Sequence, residues 1–441
     1  MNDFPSEPVM TLQIPASAEY LRVVTGCVEQ SALALGLEAD DALSLTLAAE
    51  EIFVYLCGLG TAERSVRMTC AGGGYFVRTD FYFSAAHFSL HAFNITASVS
   101  PEDETSMQDL GLLIASRSVD HHGISLEADG KRYRLSLIKE KTYPPLARVP
   151  AAAARPMAQY AIRSADTEDL KQMAAGICAH AAIGRVPSVC RTPGKLVDMA
   201  AAGHLRAAVA ADAAGHVGGG LFWHRFGRRA VECRGPFVFD PASGPGMGAD
   251  LLEACLGDIA RTPAVALICR FPTPQLPKSY FEPLGTLDAV TTEGRSVAVT
   301  VFFRQMQEDP GTAAWVHPEL ETYLRQVYAR MVLPRDVHVV QDMGERRPPE
   351  SVLFAAFDRV HRQVTLQPVV AGADARDNLE GHLRLLKKEA IPTVFFEMDL
   401  GRSWQADFTP ALLRSGFTPR LVIPYAGKGD LLIFQWEGAG K

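Results

Sequence analysis

Residues 237–255 read FVFDPASGPGMGADLLEAC, and this stretch decides the fold in the middle of the chain. The apolar residues up to Val238 are typical of a strand, and Pro241 marks its end. A glycine-rich loop follows at 243–248. Beyond the loop, apolar residues recur at helical spacing, at Leu251, Leu252, Cys255 and Leu256. The stretch therefore predicts a strand, a tight loop and an amphipathic helix.

The loop has the composition of an anion-binding site. Glycines allow the backbone N–H groups of Gly246, Met247 and Gly248 to point at one spot, and a helix N-terminus adds positive potential there. A phosphate-type ligand is one interpretation of this pattern. An ordinary turn before a helix is the other.

Length and composition indicate a globular protein of several domains. At ~150 residues per domain, 441 residues correspond to about three domains. A hydrophobic content of 48% and a charged content of 21% are those of globular proteins. The net charge of −7 argues against a surface that coats nucleic acid.

Targeting signals and metal-site patterns are not evident in the sequence. No basic segment followed by an apolar stretch opens the chain, and no apolar run reaches the ~18–20 residues that cross a bilayer. The eight cysteines form no C-x-x-C pair, which favours reduced thiols in a cytoplasmic protein. Adjacent His121 and His122 lack a nearby third ligand, so we expect no metal site.

Linker-like composition divides the chain into three parts. Proline and alanine dominate 143–157, and the turn Glu308–Thr312 follows a second long stretch of strands and helices. We expect domains at 1–142, 158–305 and 306–441. The mixed helix and strand patterns predict the α/β (α+β) class throughout.

The order of elements in 1–142 is an acidic helix around Glu50–Glu51, a sheet, a polar loop and a helix that begins near Asp109. This order resembles the bacterial anti-sigma-factor serine kinases of the GHKL group, which have the Bergerat ATP-binding fold. Glu51 matches the acidic position of the family's first motif. Tyr55, however, stands where the resemblance expects the magnesium-binding Asn, and Asp109 replaces a loop glycine. We therefore expect no ATP binding, and instead contact with a protein partner or another ligand.

Four segments of 158–305 resemble the GNAT acyltransferase superfamily. They are Ile162–Asp169, Val209–Gly219, Val238–Gly248 and Phe281–Gly285, and they occur in the family's order. The resemblance implies a mixed sheet that binds acetyl-CoA or another acyl-CoA. The implied cofactor-binding residues are Val238, Ser243, Gly244, Gly246, Met247 and Gly248. Ser243 replaces the family's usual Arg or Gln, and Pro245 offers no N–H.

Two residues are implied as catalytic. Glu232 lies on the strand where the family often places a general base for the amine, although a carboxylate on the solvent face of an edge-like strand is an equal alternative. His224 and Cys233 lie nearby. The family's late Tyr, which often protonates the leaving thiolate, corresponds to Phe281, and Tyr280 is its neighbour.

Residues 306–441 resemble the last half of a GNAT unit, with Leu413–Phe417 similar to one of its motifs. A glycine-rich loop is absent, because Val370–Arg376 offers one glycine and an acid. We expect a second, non-binding GNAT-like domain that pairs with the first and helps to form the acceptor site.

Two functions follow from these resemblances. The first is an acyl-CoA-dependent N-acyltransferase with a regulatory kinase-like front domain. The second is a non-catalytic regulator of the anti-sigma-factor type, which binds a protein partner and senses a CoA thioester. Neither involves nucleic acid or a membrane.

Overall fold

The computed structural model describes residues 10–59, 65–84, 88, 91–97, 110–126, 132–147, 156–181, 186–290, 296–359 and 361–438. Three multi-stranded sheets and one two-stranded pair follow one another along the chain, with helices packed on them. The α+β class is thereby confirmed.

The first sheet is antiparallel and has the order β1-β2-β3-β5-β4. Its strands are β1 (Met10–Pro15), β2 (Ser65–Gly72), β3 (Phe76–Phe83), β4 (His121–Leu126) and β5 (Tyr133–Glu140). Its helices are α1 (Leu21–Ala34), α2 (Ala39–Gly58) and α3 (Leu110–Ser118). Apolar residues of all three helices pack with one face of the sheet around Phe53 and Phe81. A 3-10 turn at His91–Phe93 precedes α3.

The second sheet has seven strands in the order β11-β12-β10-β9-β8-β7-β6. Its strands are β6 (Ala161–Ser164), β7 (Arg206–Ala211), β8 (Val217–Arg225), β9 (Ala230–Val238), β10 (Ala266–Cys269), β11 (Glu282–Val290) and β12 (Ser296–Gln305). Its helices are α4 (Thr167–His180), α5 (Pro193–Ala201) and α6 (Gly244–Ile259). Only β9 and β10 run parallel, joined by α6. Helices α4 and α5 cover one face of the sheet, and α6 covers the other.

The third region begins with a parallel strand pair and continues into a five-stranded sheet. Its strands are β13 (Thr312–Val316), β14 (Arg335–Val339), β15 (Val352–Asp358), β16 (Gln363–Val370), β17 (Thr393–Asp399), β18 (Phe417–Ile423) and β19 (Leu431–Trp436). Its helices are α7 (Pro318–Met331), α8 (Ala375–Lys388) and α9 (Thr409–Arg414). The sequence missed β13. For α8 the sequence offered Asp374 or Asp377 as the N-terminal cap, and the helix begins at Ala375, directly after Asp374.

The third sheet repeats part of the second. Its order is β15-β16-β17-β19-β18, and only β16 and β17 run parallel. Strands β8, β9, β10, β12 and β11 have the same order and directions, and α8 joins β16 to β17 as α6 joins β9 to β10. The topology of residues 352–436 therefore matches that of residues 217–305.

These two sheets pack face to face. Ile268, Leu284 and Val301 of the second sheet share a core with Phe395 and Leu421 of the third. At the edge of this interface, Gln435 accepts a hydrogen bond from the Asp288 N–H (2.9 Å) and donates one to its carbonyl (2.7 Å). The interface joins the two regions through buried apolar surface and specific hydrogen bonds.

The first region contacts the third through a buried amide. Asn94 donates to the Ser351 carbonyl (2.9 Å) and accepts from the Leu353 N–H (2.9 Å), and Asn378 of α8 donates to Asn94 (3.1 Å).

Among the described residues, no helix is long and apolar enough to cross a membrane. No group of three or more His, Cys, Asp and Glu residues within the described ranges could hold a metal ion.

Candidate functional site

The glycine-rich segment forms the first turn of α6 rather than an open loop. The helix begins at Gly244 after a short 3-10 turn at Pro241–Ser243. Because only the first N–H groups of a helix lack an internal partner, those of Met247 and Gly248 are engaged within α6. The Ser243 N–H bonds to the Asp240 carbonyl (3.0 Å). Of the three N–H groups that the sequence predicted to bind an anion, only that of Gly246 has no partner within α6.

The glycines of this turn serve different purposes. A Cβ on Gly248 would lie 2.7 Å from the Gln275 carbonyl oxygen, so Gly248 is required by packing. Gly246 is exposed, and the nearest atom to an added Cβ is the Tyr160 hydroxyl at 3.7 Å. Met247 is fully buried in the core beneath α6, and Val238 is the last residue of β9, opposite Gly219. Of these two glycines, Gly246 is thus the one open to a ligand.

Carboxylates border the same helix start. Asp240 accepts from the Ala242 N–H (3.0 Å) and from the Ser243 hydroxyl (3.4 Å). Asp250 accepts from the Tyr160 hydroxyl (2.8 Å). These negative charges oppose the attraction that the helix N-terminus exerts on an anion.

Glu232 lies at the centre of a buried ion cluster. Its carboxylate receives Nε and Nη2 of Arg270, both at 3.0 Å, and lies 3.2 Å from Nε of Arg234. Burial acts to raise the pKa of Glu232, but the two guanidinium groups outweigh it and lower the pKa to about 2. A carboxylate with so low a pKa is a weak general base at neutral pH. Glu232 is also fully buried on an interior strand, which excludes the solvent-face alternative.

His224 forms a pair with this carboxylate. Its Nε2 lies 3.5 Å from Oε2 of Glu232, and about a quarter of its side chain is exposed. Burial lowers the pKa of His224, and the nearby Arg234 and Arg270 lower it further, against the opposing effect of Glu232. A neutral imidazole next to a carboxylate is a suitable proton acceptor. By contrast, a hydrogen bond with Cys269 and burial raise the pKa of Cys233, so Cys233 stays a thiol.

The cluster extends across the interface to the third sheet. Nη1 of Arg270 lies 3.7 Å from Glu397 of β17, and Gln367 of β16 donates to Glu397 (2.5 Å). The guanidinium of Arg234 lies 3.9 Å from the ring centre of Phe271. Sequence reasoning missed these partners because strands far apart in the chain supply them. The one local signal was the alternation of Glu232 and Arg234 inside an apolar strand.

Tyr280 and Phe281 point to different surroundings. Tyr280 ends a 3-10 turn that begins at Lys278, and its hydroxyl bonds to Glu253 of α6, which raises the pKa of Tyr280. Phe281 is buried and packs edge-on against Phe302, with ring centres 6.3 Å apart. Of these two neighbours, Tyr280 is therefore the one with a hydroxyl that could donate a proton, and that hydroxyl lies next to α6.

Glu51 and Tyr55, the residues that were compared with the kinase family's first motif, lie on α2. A Cβ on Gly111 would lie 2.6 Å from Oε2 of Glu51, so the two helices are in close contact there. Tyr55 packs edge-on against Phe88, with ring centres 5.8 Å apart. Asp109 lies outside the described residues.

No protein-family model matches the sequence, and no curated protein matches it. Solved acetyltransferase structures match in part. An N-acetyltransferase from Staphylococcus aureus Mu50 matches 34% of this chain and 100% of its own, with 18% identity and a TM-score of 0.29. A GNAT-superfamily phosphinothricin acetyltransferase from Sinorhizobium meliloti, solved with AcCoA, matches 33% and 88%, with 22% identity and a TM-score of 0.27. A GNAT-family N-acetyltransferase from Escherichia coli, solved with CoA, matches 35% and 86%, with 19% identity and a TM-score of 0.26.

Proposed function

We propose that residues 158–305 form an acyl-CoA-dependent N-acyltransferase domain of the GNAT type. The observation that carries the proposal is the β9–α6–β10 unit. Its helix follows the strand bearing Glu232, and the N–H group of Gly246 in the first turn has no partner within the helix. The four segments that resemble the family all lie within residues 161–305, which form the seven-stranded sheet and its helices.

In this proposal each residue has a separate role in acyl transfer. The N–H group of Gly246, at the positive end of α6, binds the pyrophosphate, while the bound acyl-CoA supplies a thioester whose acyl group passes to an amine. His224 accepts the amine proton at Nδ1, and Glu232 stabilises the resulting imidazolium. Tyr280, which stays protonated at neutral pH, donates its proton to the departing thiolate. Glu232 thus acts through His224 and holds Arg234 and Arg270 in place.

The pH dependence of transfer tests this assignment. Because the pKa of His224 is lowered, the imidazole is neutral at pH 7, and protonation abolishes its function only in the acid range. We expect kcat/KM to rise with pH to a plateau, with the midpoint of the rise below ~6.5. His224→Gln should reduce the plateau about 100-fold or more and remove the acid limb.

Free-thiol release from acetyl-CoA, measured across a panel of primary amines, provides the readout. Tyr280→Phe serves as the second variant and should reduce kcat more than KM. Transfer that keeps its rate and acid limb in His224→Gln would contradict the assignment. Absence of transfer with every amine would leave the domain without the proposed activity.

A second candidate function, binding of a protein partner by the first region, has an observation of its own. Leu43, Leu47 and Val54 lie on one face of α2 and are about half exposed, and Leu110 and Ile114 of the neighbouring α3 are also exposed. Residues 10–59 carry seven acidic residues and a single basic one, Arg22. An apolar surface with an acidic border fits a partner with an amphipathic, basic helix.

Photo-crosslinking from position 47 in the protein's own host tests this surface. A photoreactive residue at Leu47 should capture a distinct protein, because the side chain lies within the apolar face. The same residue at Arg325, on the exposed side of α7, is the control and should not capture it. No captured protein at position 47, or the same capture at both positions, would contradict the second function.

A further inference from the structure

The outer face of the first sheet, opposite its helices, has a pocket of about 190 Å³. Thr69 and Asp80 are cross-strand partners and form its floor, with Thr11 beside Thr69 on β1. Arg67 and Arg78 lie on either side of this row. Arg67 is two residues from Thr69 along β2, and Arg78 is two residues from Asp80 along β3. A spacing of two residues corresponds to roughly 6.8 Å and places both arginines on the same face as the row.

The charged groups around the pocket are held in place by the sheet. Asp80 is 2% exposed and is contacted by Nε of Arg78 (3.0 Å), Nη2 of Arg134 (3.1 Å) and the Ser136 hydroxyl (2.5 Å). Its negative charge is therefore already balanced.

Arg67 is exposed, and its guanidinium lies 4.2 Å from the ring centre of Tyr82. Within the described residues it forms no ion pair, so its donors remain available to a ligand. The stacking on Tyr82 orients the guanidinium plane before any ligand arrives.

We propose that this pocket binds a phosphate-type oxyanion, either inorganic phosphate or the phosphate group of a small monoester. Arg67 and Arg78 line the pocket, and Arg67 contributes a guanidinium group beyond the two that contact Asp80. Guanidinium groups recognise phosphate through paired N–H donors, and the Thr11 and Thr69 hydroxyls add further hydrogen-bonding groups. The pocket lies in a different sheet from α6, so the inference does not depend on the proposed acyltransferase.

Calorimetric titration of the full chain with inorganic phosphate and, separately, with phosphoserine tests the proposal. At least one probe should bind, and stronger binding of phosphoserine would identify a monoester as the ligand. Arg67→Gln should weaken binding about tenfold or more. Arg22→Gln is the matched control, because it removes the same charge from an exposed arginine of α1 and should leave affinity unchanged.

Thermal unfolding should show that both variants are folded, because Arg67 and Arg22 are both exposed. The proposal is overturned if neither probe binds at millimolar concentration. It is also overturned if Arg67→Gln binds as the unsubstituted chain does, or if Arg22→Gln loses as much affinity as Arg67→Gln.

Discussion

Arg335→Met should lower the free energy of unfolding by about 3–5 kcal/mol, because it breaks a buried ion cluster by removing the guanidinium group that Asp309 and Asp430 share. Arg335 is fully buried between Asp309 (2.8 Å) and Asp430 (2.7 Å), which are themselves buried. Its guanidinium also lies 4.7 Å from the ring centre of Tyr425. Methionine fills much of the same space but leaves two carboxylates without a positive partner.

Chemical denaturation at pH 7 measures this loss. Burial raises the pKa of Asp430, so a second substitution, Asp430→Asn, should restore part of the stability of Arg335→Met. Arg325→Gln breaks an exposed pair with Glu321 on α7 and is the control, with an expected change below about 0.5 kcal/mol. Equal effects of Arg335→Met and Arg325→Gln would contradict the structural role of the cluster.

Glu232→Gln should cost on the order of 3 kcal/mol at pH 7, since it removes the carboxylate that Arg234 and Arg270 share. The pKa of Glu232 is lowered to about 2 in the folded chain. A lowered pKa gives stability that is present above the unfolded value, near 4.5, and is lost as the pH falls toward 2. The difference between Glu232→Gln and the unsubstituted chain should therefore shrink between pH 4.5 and pH 2.

Denaturation curves collected across that pH range provide the measurement. Glu282→Gln, at an exposed position of β11, controls for the loss of a negative charge and should change stability little at any pH. If the difference in unfolding free energy between Glu232→Gln and the unsubstituted chain did not change with pH, the claim that the arginines lower the pKa of Glu232 would be contradicted.

Local signals predicted most of the secondary structure. The hairpin at 71–74 follows from its glycines, and Gly74 does adopt a positive φ of 80°. The start of α4 follows from its acidic first turn, where Asp166 and Asp169 form a capping box. Such features depend on residues within a few positions, so the sequence alone contains them.

The candidate site could be predicted only in part, because its chemistry depends on distant residues. Glu232 was identified from its strand, but the two arginines that lower its pKa are visible only after β9 and β10 pair. The 243–248 segment was identified from its glycines. That two of its N–H groups are engaged within α6 depends on where the helix begins, and boundaries are weakly encoded. β13 was missed because only its pairing with β14 makes it a strand.

Binding of acetyl-CoA, measured by calorimetry with the full chain, tests the central proposal most directly. An aspartate at position 246 has room for its Cβ and suits the first turn of a helix, so Gly246→Asp should fold normally while repelling a pyrophosphate. Gly257→Asp adds the same charge at an open position later in α6 and is the matched control. We predict binding by the unsubstituted chain and by Gly257→Asp, with at least tenfold weaker binding by Gly246→Asp. No binding by the unsubstituted chain, or equal binding by all three proteins, would contradict the proposal.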